Sequence, residues 1–272
     1  MMRPLAKTGV LLGVAALIAA LIAGLGTPAR AASFQVSPTR FEFSLERRFT
    51  NFFTVTNHSG QTLRLRVTTA FLEADDKGEL KERQGSPYDM APWIVLNPRR
   101  INLAPAEKRV VRFSIRPPAG LEPGEYRTVV FFEELPPRPG EVPQQGAGVR
   151  IQVLTRLGVT IYGSIGDARP DPHLDVPTVT VAADAVSLTT AAWNSGNARA
   201  TLDLNATLVA ADGSEQGHAE QRVVLQRGQQ RDLSLKLPRP EPGTYRLRVH
   251  AHTEKGVLFE TELPVTVGTG TP

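Results

Sequence analysis

The chain of 272 residues contains no cysteine. Disulfides, a cysteine nucleophile and a lipid-modified N-terminal cysteine are therefore all excluded, and apolar packing alone must hold the domains together. A block of Lys or Arg is also missing. The 31 basic and 27 acidic residues are interspersed, and the formal net charge is only +4. Nucleic-acid binders concentrate basic residues in a stripe, so nucleic acid is not an expected partner. No Gly-x-Ser-x-Gly, His-Glu-x-x-His or glycine-rich phosphate loop occurs, so nothing in the sequence supports an enzyme, a cofactor or a catalytic metal. The 23 Gly and 22 Pro follow no fixed period, which sets aside collagen-like and low-complexity readings. Beyond the N-terminal segment there is no long apolar run and no sustained helical periodicity.

That N-terminal segment has the features of a secretory signal peptide. Arg3 and Lys7 precede an apolar run from Gly9 to Gly26, Thr27-Pro28 breaks it, and Ala29-Arg30-Ala31 places small residues where a signal peptidase reads. Cleavage after Ala31 is expected, leaving a soluble protein without membrane insertion in the bacterial periplasm. Retention of the run as an anchor is the alternative.

After the leader the apolar pattern has period 2. Leu63, Leu65 and Val67 alternate with Arg64, Arg66 and Thr68, while Val111, Phe113 and Ile115 share one face. Phe49 to Asn57 and Tyr126 to Phe132 read as further strands. The runs end in turn residues such as Asn57-His-Ser-Gly60 and Pro123-Gly124. Short strands at regular spacing with such punctuation predict an all-β sandwich or barrel.

The pattern also occurs twice. Phe53-Thr-Val-Thr-Asn-His-Ser-Gly60 followed by Leu63 to Val67 corresponds to Ala191-Ala-Trp-Asn-Ser-Gly196 followed by Thr201 to Asn205. Glu122-Pro-Gly-Glu-Tyr-Arg127 corresponds to Glu241-Pro-Gly-Thr-Tyr-Arg246. Residues from about Leu72 to Ile101 are extra in the first copy. Two related sandwiches in tandem are expected, with a boundary near Gly163 to Pro177. The division is 1–31 for the signal peptide, 32–164 for the first domain and 165–272 for the second.

One stretch stands apart from this pattern. Pro136, Pro137, Pro139, Gly140, Pro143, Gly146 and Gly148 form a stiff loop. A single long strand, Val149 to Tyr162, is predicted directly after it. Val149, Ile151, Val153, Leu157 and Val159 share one parity, Arg150, Gln152 and Arg156 the other. At ~3.3 Å per residue such a strand would be about 45 Å long. A strand that outruns its sheet offers unpaired backbone and an apolar row to another chain, the requirement for strand addition. An ordinary last strand, kinked at Gly158, is the plainer reading.

The order of these features resembles the periplasmic pilus-assembly chaperones, the PapD-like family. The matching pieces are Phe34-Gln-Val-Ser-Pro-Thr-Arg40, Thr54-Val-Thr-Asn57, Trp93-Ile-Val-Leu-Asn-Pro98, Ile101-Asn-Leu-Ala-Pro105 and Arg109-Val-Val-Arg-Phe113. Glu125-Tyr-Arg127, Phe131-Phe-Glu-Glu-Leu-Pro-Pro137 and the loop and strand that follow complete the series. The resemblance implies two immunoglobulin-like sandwiches, a secreted pilin-like subunit as partner and an outer-membrane usher as a second one. It implies donor residues Val149, Ile151 and Val153, with Leu157 nearer the hinge, inserted into a subunit that lacks a strand. It also implies two basic residues that grip the subunit's C-terminal carboxylate, for which a guanidinium is well shaped. Arg40 matches the first. The family's Lys is missing, its place falling at Gly158, and Arg156 is the nearest basic residue. A structural or adhesive extracytoplasmic protein with tandem immunoglobulin-like modules is the alternative. His250 and His252 share a strand face but lack a third ligand, so a metal site is not expected.

Overall fold

The computed structural model describes residues 33–75, 77–136, 138 and 153–269. The leader (1–31) and most of the proline-rich loop, with Val149 and Ile151, lie outside the described residues.

The first half of the chain forms β1 (Phe34–Ser37), β2 (Arg40–Ser44), β3 (Phe49–Asn57), β4 (Leu63–Ala74) and β5 (Leu80–Arg83). A single 3-10 turn (Ala91–Trp93) follows, then β6 (Ile94–Asn97), β7 (Arg100–Leu103), β8 (Lys108–Ile115), β9 (Gly124–Glu134) and β10 (Arg156–Ile165). One sheet runs β1-β3-β8-β6, the other β2-β10-β9-β4-β5 with β7 also on β4. The alternating residues meet between them: Leu63, Leu65, Val67, Val111, Phe113 and Ile115 are all buried, while Arg64 and Arg66 stay outside. The core is rich in aromatic residues. Phe53 lies 5.3 Å from Phe41 and 5.2 Å from Phe132, both edge-to-face, and each fully buried side chain of this size contributes about 1.5–3 kcal/mol.

The second half forms β11 (Pro172–Leu174), β12 (Thr178–Val181), β13 (Ala185–Asn194), β14 (Ala200–Ala210), β15 (Glu215–Leu225), β16 (Gln230–Pro238), β17 (Gly243–Thr253) and β18 (Gly256–Val267). β11, β12 and β16 pair with β13, and the opposing sheet runs β15-β14-β17-β18. Its separate core is aliphatic, with Leu188, Leu202, Leu204, Leu208, Leu247 and Val249 fully enclosed. The protein is thus all-β, two tandem immunoglobulin-like sandwiches.

The repeat seen in the sequence has a structural cause. Asn57 is completely buried at the end of β3, and its Nδ2 donates to the carbonyls of Gln61, Leu103 and Ala104 at 2.8–3.0 Å. Asn194, at the end of β13, reaches Ala198, Leu225 and Gln226 in the same way at 2.7–3.3 Å. Each amide satisfies loop carbonyls that would otherwise be buried without partners. The tyrosines of the two Tyr-Arg strands also match: Tyr126 Oη donates to Glu122 O at 3.0 Å, and Tyr245 Oη to Glu241 O at 2.7 Å. This back-bond from the start of the strand is the tyrosine corner of immunoglobulin-like folds.

The extra residues of the first copy make β5, the 3-10 turn and β6. Met90, fully buried, fastens this insertion to β9 through its N–H, which donates to Arg127 O at 3.0 Å.

Candidate functional site

The long strand expected over Val149 to Tyr162 differs in extent: among the described residues it begins at Arg156 and runs on to Ile165. The reason is the length of its neighbours. Antiparallel pairing with β9 starts at Arg156 opposite Glu133 and ends at Ile165 opposite Gly124. One residue earlier, Glu134 N still donates to Thr155 O at 2.9 Å, but Leu135 N has already turned away to Arg64 O. Val153 and Leu154 therefore have no strand among the described residues beside them to join. At the other end β2 lies parallel to β10, with Arg40 opposite Thr160 and Ser44 opposite Ser164, which carries the strand past Tyr162.

This arrangement leaves part of an edge open. β2 covers β10 only from Thr160 onward, so no strand among the described residues pairs with Arg156 to Val159 on that side. The parity of the sequence holds: Val159 and Ile161 are buried in the core and Leu157 packs partly against it. The same row continues to Val153, which is 81% exposed. Past Thr155 an apolar row thus leaves the core beside a strand segment whose outer hydrogen-bonding groups face no strand among the described residues, the geometry that strand addition uses. Gly158 stands on the opposite face, and a Cβ there would come within 2.9 Å of Val129 Cγ1 and 3.0 Å of Phe131 Cε1. A lysine at this register would have no room without displacing both side chains.

The cleft between the sandwiches is built on the same outer face. Tyr162 lies between two guanidinium groups, that of Arg40 at 5.1 Å and that of Arg199 at 3.9 Å from the ring centre. Arg40 pairs with Glu42, which also holds Arg199 at 2.8 Å, and Arg199 pairs in turn with Glu125. Burial raises the Glu125 carboxyl above its ordinary range, the Arg199 charge opposing that rise. Cation–π contact and charge pairing together tie β2, β9 and β10 to the loop after Asn194. One backbone bond and the Asn197 amide complete the joint: Glu125 N donates to Asn197 O at 2.8 Å, and Asn197 Nδ2 donates to Pro123 O at 3.1 Å and Asp167 O at 2.9 Å. Gly124, with φ of +143°, is required there, since a Cβ would lie 2.8 Å from Asn197 O.

Of the residues singled out from the sequence, Val153 and Leu157 lie on the open part of β10, and Val149 and Ile151 are outside the described residues. Arg40 and Arg156 are on one face but are not brought together. Arg156 is four positions along the strand from Thr160, the register partner of Arg40. It pairs with Glu133 at 2.8 Å and Glu82 at 2.5 Å and stacks over Phe131 at 3.6 Å. Arg199 was not identified from the sequence. No local signal marks it, because it comes from the other sandwich and only the joint places it beside Tyr162. His250 and His252 have parallel rings 6.1 Å apart, and His250 faces Glu260 at 3.6 Å.

No family model matches the sequence, and no curated protein matches it either. Among solved structures the chain is similar to the class 5 fimbriae chaperone CfaA, at 13% identity and a TM-score of 0.46 over 86% of this chain and 98% of that one. It is similar to the YadV chaperone at 12% identity and a TM-score of 0.44, covering 86% of this chain and all of the other. The E. coli chaperone DraB gives 14% identity and a TM-score of 0.42 over 86% and 98% of the two chains.

Proposed function

We propose that the protein is a periplasmic chaperone that captures a secreted, pilin-like β-sandwich subunit by strand addition, and that it has no enzymatic activity. The observation that carries this reading is the half-open β10. Arg156 to Val159 have backbone groups that no described strand uses, and the apolar row that includes Leu157 continues to an exposed Val153. A guest strand pairing there would satisfy the edge and bury the donor row of Val149, Ile151 and Val153 in its own incomplete core. The order of sequence motifs supplies the class of guest, and an outer-membrane usher is the second partner it suggests.

Within this reading Arg40 holds the guest's terminal carboxylate, and Arg156, four positions away along β10 and held by Glu133 and Glu82, does not share it. Arg40 is paired with Glu42 in the free protein, so an incoming carboxylate replaces an internal one rather than filling an empty site. A guanidinium fork makes such an exchange close to neutral in the number of hydrogen bonds.

The test is capture of a co-expressed pilin-like subunit from cell envelopes. Val153→Asp combined with Ile151→Asp is expected to lower recovery of the complex at least tenfold while the chaperone stays a folded monomer. Unchanged recovery would dismiss strand addition at β10. Arg40→Ala should weaken capture much more than Arg222→Ala, a surface change far from the cleft, and equal losses would remove the anchoring role.

A further inference from the structure

The outer face of the β1-β3-β8-β6 sheet carries apolar groups and charge of one sign. Register settles which residues share it. Phe52 on β3 lies opposite Arg112 on β8, Val110 opposite Thr54, and Val95 on β6 opposite Ser114. Phe52, Val95 and Val110 are 49%, 48% and 42% exposed. Single exposed apolar residues are ordinary, but three gathered on one face mark an interaction surface.

Lys108, Arg112 and Arg116 run along the same face. They share one parity of β8 and its continuation, where Arg116 N still donates to Trp93 O at 3.0 Å. All three are exposed, and at ~3.4 Å per residue they span about 27 Å. None has a side-chain hydrogen bond or ion pair among the described residues. No outward residue of the four strands is acidic. Elsewhere the charges of a sheet face are paired within it. Arg66 meets Glu133 and Arg40 meets Glu42 on the other sheet of the first sandwich, and Arg222 meets Asp203 and Arg248 meets Glu262 on the second. The excess is local, because without Arg3, Lys7 and Arg30 of the leader the net charge falls from +4 to +1.

Unpaired cations with apolar side chains between them fit a surface that spreads negative charge over an apolar interior. Two observations favour a bilayer over an acidic protein. The cations are distributed along the whole strand rather than gathered about one central anchor, as at a protein hot spot. The apolar run of the leader also ends at Gly26, eight residues before Phe34 opens β1, a reach of at most about 29 Å. β1 is the edge strand of this same sheet, so export through the leader delivers this face close to the membrane.

We propose that the outer face of the β1-β3-β8-β6 sheet docks the protein on an anionic phospholipid surface. Lys108, Arg112 and Arg116 meet the headgroups, and Phe52, Val95 and Val110 enter the interface between them. The inference takes from the proposed function only the export of the chain. β10 belongs to the opposite sheet, so a docked molecule keeps that edge free.

Co-sedimentation of the mature chain, from Ala32 onward, with large vesicles tests it. Vesicles of equal parts phosphatidylglycerol and phosphatidylcholine should bind it at least tenfold more tightly than pure phosphatidylcholine, and added salt should weaken that binding by screening. Lys108→Glu with Arg112→Glu should lower affinity for the mixed vesicles at least tenfold. Lys236→Glu with Lys255→Glu makes the same change of net charge at exposed positions of the second sandwich and should have less than about a twofold effect. Phe52→Trp should gain a blue-shifted emission over the parent with the mixed vesicles, as its indole leaves water. The substituted residues are all exposed, and parent-like circular dichroism checks that the fold is kept. The inference is overturned if both kinds of vesicle bind alike, if Lys108→Glu with Arg112→Glu binds like the parent, if the control pair loses as much, or if the Phe52→Trp emission does not move. Binding to poly-glutamate without binding to the mixed vesicles would assign the face to an acidic polypeptide and overturn the lipid reading. None of these probes engages β10, so their failure leaves subunit capture untouched, and failure of capture leaves vesicle binding as it is.

Discussion

The first strand of the amino-terminal sandwich changes sheets midway, and its counterpart in the second sandwich does not. β1 pairs with β3, then β2 crosses over to lie parallel to β10. β11 and β12 both stay with β13, so among the described strands β18 is hydrogen-bonded to β17 alone. By the count of unpaired backbone groups, β18 has the larger open edge. Its outward residues, however, are Glu260, Glu262 and Pro264, all exposed, and charges and proline are what edges carry when pairing is to be avoided. The open part of β10 has Arg156, held by Glu133 and Glu82, and Gly158 on its outward face, and an exposed Val153 at the end of its apolar row. A vacant edge is therefore not by itself a docking site; the side chains that accompany it decide.

The two cores differ as well. Five buried phenylalanines stand among the aliphatic residues of the first, whereas leucine, valine, alanine and one tyrosine make the second, yet both keep the buried asparagine and the tyrosine corner. What the sandwiches share is the satisfaction of backbone groups at fixed points; the packing between those points is free to diverge.

The comparison can be broken at several levels. Phe53→Ala removes the ring in edge-to-face contact with both Phe41 and Phe132 and is expected to cost about 3–5 kcal/mol. In urea unfolding only the transition of the first sandwich should move, and a matching shift in the second would mean the cores are not independent. Asn57→Ala and Asn194→Ala each strand loop carbonyls, and each should destabilise its own sandwich by about 1–3 kcal/mol; an effect of one without the other would show that the shared motif is not a shared fastening. A smaller effect attaches to Glu125 at the joint. Its carboxyl is raised in the folded state by burial, so the stability it contributes is complete below its ordinary value near 4.5 and is lost as pH climbs through the raised one. Stability profiles from pH 4 to 8 should fall less steeply with pH in Glu125→Gln than in the parent, and superimposable slopes would contradict this. The smallest expected effect is none: Glu262→Ala with Pro264→Ala, on the guarded edge of β18, should leave subunit capture unchanged. Loss of capture there would move the docking edge to the second sandwich.

Much of the fold was legible because period-2 alternation reports burial directly. Leu63, Leu65 and Val67 had to face one way, and they do. The duplicated Asn-Ser-Gly turn and Tyr-Arg strand were legible because each marks a backbone-satisfying contact that tolerates few other residues. The donor strand was legible in parity but not in extent, since where β10 begins depends on where β9 ends, a property of another segment. The cleft was not legible. Arg199 and Arg227 come from loops of the second sandwich and meet Tyr162 and Tyr88 of the first, with no periodicity or local motif to announce them.

The sequence alone determined the class of structure, the number of sandwiches, the points where each is fastened and which side chains of the last strand face inward, because local alternation and turn chemistry act over a few residues. The tertiary structure decided which edge stays open among the described residues and that Arg40 and Arg156 stand apart. Those outcomes depend on the relative lengths of paired strands and on the joint between the two sandwiches. Both are set by contacts between residues far apart in the chain.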